Sequence, residues 1–169
     1  TDVGRCFHPA FAGETIPSLE TALQSCRRLG LAANVEIKPA SGFEVETGRV
    51  VGKFLRALSL SQRPVVLLSS FSADALTAAA AEAPDIARGF LSDRFSPEVL
   101  LTAGRLGCSS LNLGGRNLEA GHVAEARNAG LKVLVYTVNS RLDASRFAAW
   151  GVAGVFSDRP DLLLAGSLT

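Results

Sequence analysis

The sequence predicts an α/β protein built on a parallel sheet. Three observations carry that expectation. Amphipathic helical stretches alternate with short apolar runs along nearly all of the 169 residues. Several of those runs are continuously apolar, as suits strands buried on both faces. Helix starts and stops are marked by serines, glycines and prolines. Roughly six strands, each preceded by a helix, imply right-handed crossovers between parallel neighbours. By pattern alone two architectures fit. An open doubly wound sheet is complete with six strands, whereas a (β/α)8 barrel needs eight and typically about 250 residues.

The elements follow in order. Ser18 caps the first helix, Glu20 sits in its first turn, and Leu19, Ala22, Leu23, Cys26 and Leu29 recur at helical spacing before Gly30. Ala33 to Pro39 reads as a short strand. Side chains alternate across a strand, so Val35 and Ile37 share one face while Asn34, Glu36 and Lys38 share the other. A helix over Val50, Val51, Phe54, Leu55 and Leu58 precedes the apolar run Pro64 to Ser69. Ser72 caps a helix carrying Ala75, Leu76, Ala79 and Ala80 that stops before Pro84, and Ile86 to Leu91 is the next strand. Pro97, at a first helical position, opens another helix. Cys108 to Leu113 is a strand ended by Gly114-Gly115, and a helix over Leu118 to Asn128 ends at Gly130. Lys132 to Val138 is the clearest strand. A helix through Phe147 to Trp150 leads to Gly151, a last strand Gly154 to Ser157, and a short terminal helix for which Asp158 is the expected cap.

Composition narrows the function classes. Seventeen basic and sixteen acidic residues give a formal charge of +1, too little overall field for nucleic acid or an anionic membrane. No apolar run approaches the roughly 18 residues that span a bilayer. Cys6, Cys26 and Cys108 are scattered, with no CxxC spacing, so a disulfide framework, zinc and redox chemistry are not expected, and a reduced cytoplasmic setting is. The chain holds no methionine, so Thr1 is not expected to be the start of the gene product. The length suits a single domain over residues 1–169.

Phosphate-loop, dinucleotide and serine-elbow motifs are absent. Gly114-Gly115 after a strand reads as a tight turn more readily than as a phosphate contact. With His8 in the leading segment and His122 on a helix, a Ser-His-Asp site is not expected. The informative stretch is Asn34-Val35-Glu36-Ile37-Lys38-Pro39. In a closed parallel barrel its polar face sends a carboxylate and an ammonium inward at the carboxyl end of a strand, where barrel enzymes do their chemistry. A structural ion pair is the alternative.

Taken together, five pieces in this order resemble the glycerophosphodiester phosphodiesterases: Phe11-Ala12-Gly13-Glu14 with Ile16 to Leu19; Asn34 to Pro39; Ser69-Ser70-Phe71; Val135 to Asn139; and Gly151-Val152 through Phe156 to Asp161. The resemblance is closest to the compact cytosolic bacterial form. It implies a (β/α)8 TIM barrel whose first two strands are absent from this chain, so that residues 1–169 form the C-terminal part of the barrel. It implies hydrolysis of glycerophosphodiesters to glycerol 3-phosphate and an alcohol, with a divalent cation, Mg2+ or Ca2+, held partly by Glu36. It gives Lys38 a catalytic and substrate-binding role at the phosphate, and makes Phe71 and Tyr136 walls of the pocket. The partner is then a small-molecule substrate, with no nucleic acid and no membrane span. The family's two catalytic histidines and two of its three metal carboxylates have no counterpart here. The chain alone is therefore expected to be inactive, and a non-catalytic relative that binds a phosphorylated ligand or partner is the alternative. Phospholipase D-like toxins, which share the barrel and acidic site, fit the Ser-Ser-Phe and Tyr-Thr-Val-Asn pieces less well.

Overall fold

The computed structural model describes residues 2–59 and 63–164. The chain divides into two compact units, the first from the described residues of 1–33 and 58–66, the second from 34–57 and 67–169.

In the first unit the leading segment, for which the sequence predicts no helix before Ser18, forms a short helix α1 (Val3–Phe7). The reason is local. Asp2 caps α1, its carboxylate accepting from the Arg5 and Gly13 N–H groups, each at 3.0 Å. Those two N–H groups hold the Asp2 carboxyl below its usual range. His8 follows, its Nδ1 accepting from Ala10 N–H at 3.1 Å to cap a 3-10 turn over Pro9–Phe11. Helix α2 (Leu19–Arg28) starts where the sequence predicts, with Ser18 Oγ accepting from Thr21 N–H at 3.1 Å and Leu23 buried.

The second unit carries the sheet: β1 (Ala33–Glu36), β2 (Val66–Ser70), β3 (Ala87–Ser92), β4 (Ser110–Gly114), β5 (Lys132–Tyr136) and β6 (Gly154–Val155). The strands lie in sequence order, and the pairings from β2 to β6 are parallel. That order decides between the two architectures. A doubly wound sheet reverses direction at a switch point, whereas a barrel adds each strand beside the last. Between strands run α3 (Glu44–Ala57), α4 (Ala73–Glu82), α5 (Pro97–Arg105), α6 (Ala120–Asn128) and α7 (Arg141–Ala149), with a final α8 (Pro160–Leu164). Ser72, Ser96 and Ser140 cap α4, α5 and α7 through their hydroxyls, so the serine signals locate these starts.

Register sorts the sheet into two faces. Phe90, Leu111, Leu113, Val133 and Val135 pack with Leu76, Ala103, Val123, Ala126 and Phe147 from the helices in one core cluster. The opposite face carries Ser69, Gly89 and Ser110 level with one another, with Asn112 two residues further along β4 and level with Leu91. Gly89 is a close-approach position: a Cβ there would stand 2.5 Å from Ser110 Oγ and 3.0 Å from Asn112 Nδ2. Gly48 does the same between helices, since a Cβ on it would lie 2.2 Å from the Ala75 carbonyl oxygen where α3 crosses α4.

Candidate functional site

The site is assembled at the carboxyl ends of β1, β2, β3 and β5. On β1, Ile37 is buried and Val35 half-buried, while Asn34, Glu36 and Lys38 are exposed on the other side. The strand end is fixed twice. Ile37 N–H donates to the Ser69 carbonyl at 2.7 Å, and Ser70 Oγ donates to the Ile37 carbonyl at 2.6 Å. Ser70 Oγ also accepts from Ser72 N–H at 3.0 Å, which joins β1, β2 and the start of α4. The serines of the Ser-Ser-Phe piece therefore hold the backbone that bears Glu36 and Lys38. Neither Glu36 nor Lys38 has an ion-pair partner among the described residues, so the structural ion pair is not what the pair forms.

Two rings stand at the same strand ends. Phe71 meets Tyr136 edge to face, centroids 6.1 Å apart. The Tyr136 hydroxyl donates to Asp93 Oδ1 at 3.1 Å. Burial first, then the Asp93 hydrogen bond and charge, then the Glu36 charge push the Tyr136 phenol well above its ordinary range. The phenol is thus a neutral donor at any physiological pH. Because Glu36 contributes to that shift, its carboxylate shares the region of Tyr136 and Asp93. Sequence reasoning missed Asp93. The available signal was its position, one residue beyond β3, which alternation turns to the same face as Leu91.

Several other residues settle into structural roles. Asn139 Oδ1 accepts from Ser157 Oγ at 3.0 Å and from Asp158 N–H at 2.9 Å, and Asn139 Nδ2 donates to Asp158 Oδ2 at 3.2 Å. Asp158 therefore ties the β5–α7 and β6–α8 loops together, which corrects its expected role as cap of the last helix. Gly114 and Gly115 are small because Cβ atoms there would stand 2.7 Å from the Asp93 carbonyl oxygen and 3.1 Å from Val135 Cγ1. His122 stacks on Phe95 with centroids 4.7 Å apart and accepts from Glu119 N–H at 3.3 Å. A groove of about 630 Å³ opens at the ends of β3, β4 and β5, lined by Asp93, Arg94, Arg116, Tyr136, Asp143 and Arg146 among others. Glu36 and Lys38 are not in its lining; Tyr136, which feels the Glu36 charge, and its partner Asp93 are.

For a hard cation the test is the donor set. Among the described residues no three histidine, cysteine, aspartate or glutamate side chains gather to hold a metal ion. Glu36 is one carboxylate, so the described residues do not by themselves complete the shell of a divalent cation, which takes six or more oxygens. Among the described residues no helix is long and apolar enough to cross a membrane.

Comparison with known proteins fits this layout. The chain matches the glycerophosphoryl diester phosphodiesterase family over residues 3–162. It is 29% identical over 166 residues to a glycerophosphodiester phosphodiesterase of Caldanaerobacter subterraneus, covering 96% of this chain and 66% of that protein. The structure is similar, at a TM-score of 0.86 and 29% identity, to an Oleispira antarctica phosphodiesterase solved with the product sn-glycerol-3-phosphate, covering 95% of this chain and 64% of that one. A glycerophosphodiester phosphodiesterase from Agrobacterium tumefaciens shares the fold at a TM-score of 0.73 and 23% identity. The chain thus spans about two thirds of the length of the relatives it matches.

Proposed function

Because the chain belongs to the glycerophosphoryl diester phosphodiesterase family, we propose that the protein hydrolyses glycerophosphodiesters to glycerol 3-phosphate and an alcohol. The observation that carries this reading is the convergence at the strand ends. The unpaired Glu36 carboxylate acts on Tyr136, half of an edge-to-face aromatic pair whose phenol is oriented by Asp93, and Lys38 follows Glu36 on the same exposed side of the β1 segment. The relative solved with glycerol 3-phosphate supports the same substrate half.

Cleavage of the phosphorus–oxygen bond to the alcohol builds negative charge on the non-bridging and leaving oxygens. Lys38 neutralises a non-bridging oxygen. Phe71 and Tyr136 wall the glycerol moiety, with the neutral Tyr136 hydroxyl committed to Asp93. Glu36 supplies a carboxylate oxygen at the same mouth. A bound Mg2+ or Ca2+ would supply electrophilic polarisation of the phosphoryl group.

A second reading, a non-catalytic relative binding a phosphorylated ligand, is favoured by one observation. Both histidines of the described residues are engaged elsewhere, His8 in a cap and His122 against Phe95, so neither offers an acid or base at the mouth. The two readings separate in the complete gene product. Under the first, Glu36→Gln lowers release of glycerol 3-phosphate by about a hundredfold, measured over a panel of glycerophosphodiesters with neutral, cationic and anionic alcohols. Activity near wild type in that variant removes Glu36 from the reading, and no release by the unaltered protein leaves the binding relative.

A further inference from the structure

The groove at the ends of β3, β4 and β5 has features the proposed chemistry does not use. Its volume, about 630 Å³, falls within the roughly 300–1,000 Å³ of small-molecule sites. Three guanidinium groups line it, from Arg94 after β3, Arg116 after β4 and Arg146 on α7. Two carboxylates face them, and both are engaged. Asp93 accepts from the Tyr136 hydroxyl, and Asp143 pairs with Arg146 at 2.9 Å. Arg146 also lies over the rings of Phe147 and Trp150, at 4.9 and 5.5 Å from their centroids. Arg94 is held only by its backbone, its N–H donating to Ser92 Oγ at 3.4 Å and its carbonyl accepting from the same hydroxyl at 2.8 Å. Arg94 and Arg116 thus present guanidinium groups with no acceptor among the described residues.

We infer that this groove takes the alcohol half of the phosphodiester and selects an alcohol bearing its own anionic group, a phosphate or a carboxylate, gripped by Arg94 and Arg116. The inference rests on the phosphodiesterase reading above and names the substrate class for it. Tyr136 and Asp93 border both the groove and the Glu36 region, so a diester lying across them puts glycerol on one side and the alcohol on the other. A planar guanidinium fork suits a phosphate or carboxylate through paired hydrogen bonds. A quaternary ammonium would meet Tyr136 and the almost wholly buried Phe147 instead of an aromatic cage, with two unneutralised guanidinium groups beside it.

Calorimetric titration of the complete gene product tests this with three probes: myo-inositol 4-phosphate, inorganic phosphate and choline. The expected result is binding of inositol phosphate that exceeds both other probes. That binding weakens about tenfold or more in the double variant Arg94→Gln/Arg116→Gln, whose unfolding transition stays that of wild type because both side chains are exposed. Equal binding by the variant, no binding at all, phosphate binding as tight as inositol phosphate, or tighter choline binding would each overturn the inference. Release of glycerol 3-phosphate by the unaltered protein is measured alongside, from glycerophosphoglycerol and from glycerophosphoinositol 4-phosphate. Its absence from both overturns the phosphodiesterase reading, while its presence from either without inositol phosphate binding overturns the groove alone.

Discussion

Leu111 and Asn112 are neighbours in β4, both fully buried, and they belong to different environments. Leu111 points into the helix-covered face, among Phe90, Val133 and Val123. Asn112 points to the opposite face, where Ser110 Oγ donates to its Oδ1 at 2.9 Å and its Nδ2 has no partner among the described residues. Ser69 Oγ, two strands away on the same face, is also unpartnered among the described residues. One face of the sheet is therefore a close-packed apolar core, and the other carries polar groups that rise toward Tyr136 and Asp93. Stability is concentrated on the first face. The second tolerates incompletely satisfied polar groups, a cost that native proteins accept mainly near functional sites.

The sharpest way to break this contrast is to truncate across it. Leu111→Ala should lower unfolding stability by about 3 kcal/mol, the lost transfer energy plus a cavity, measured by urea denaturation. Lys38→Ala comes next, with a different readout. It should cost about a hundredfold in kcat/KM for a glycerophosphodiester while leaving the denaturation midpoint unchanged, because the side chain is exposed and unpaired. A midpoint that fell with Lys38→Ala would mean that the polar side of β1 is structural after all. Asn112→Ala should cost only about 1 kcal/mol, since it removes one orphaned donor while orphaning the Ser110 hydroxyl. A loss equal to that of Leu111→Ala would erase the distinction between faces.

The smallest effect is in alkaline titration. The fold raises the Tyr136 pKa above its ordinary value near 10, so the folded state holds the proton more tightly than the unfolded one. The stability this brings is complete below about pH 10 and declines as the pH rises from there toward the folded pKa. Tyr136 is the chain's one tyrosine, so ultraviolet absorbance follows a single group. Ionisation should begin only well above pH 10 in the native protein and shift downward in Asp93→Asn, which removes the neighbouring negative charge.

The same contrast shows what was legible in the chain. Cap serines and glycine stops mark the helices because those signals act over three or four residues, and Ser18 and Ser72 are found where they predict. The split of Val35 and Ile37 from Glu36 and Lys38 also follows from local geometry, since side-chain period is a property of any strand. Strand ends were less legible: Lys132 to Val138 reads as one run, yet β5 ends at Tyr136, and the Val138 N–H goes to the Phe156 carbonyl at 2.8 Å. Asp158 misled because its short-range signature is that of a cap, and the partner that claims it, Asn139, is 19 residues away.

The amino-acid order by itself determined the alternation of helix and strand, the caps, and the placement of a carboxylate and an ammonium on one side of the β1 segment, all consequences of backbone period and near-neighbour hydrogen bonding. Only the tertiary structure decided the strand order that excludes a doubly wound sheet, the meeting of Asp93 with Tyr136 across 43 positions, and the gathering of Arg94, Arg116 and Arg146 around one groove. Those depend on which strands lie side by side, and parallel pairing joins segments that no local signal links.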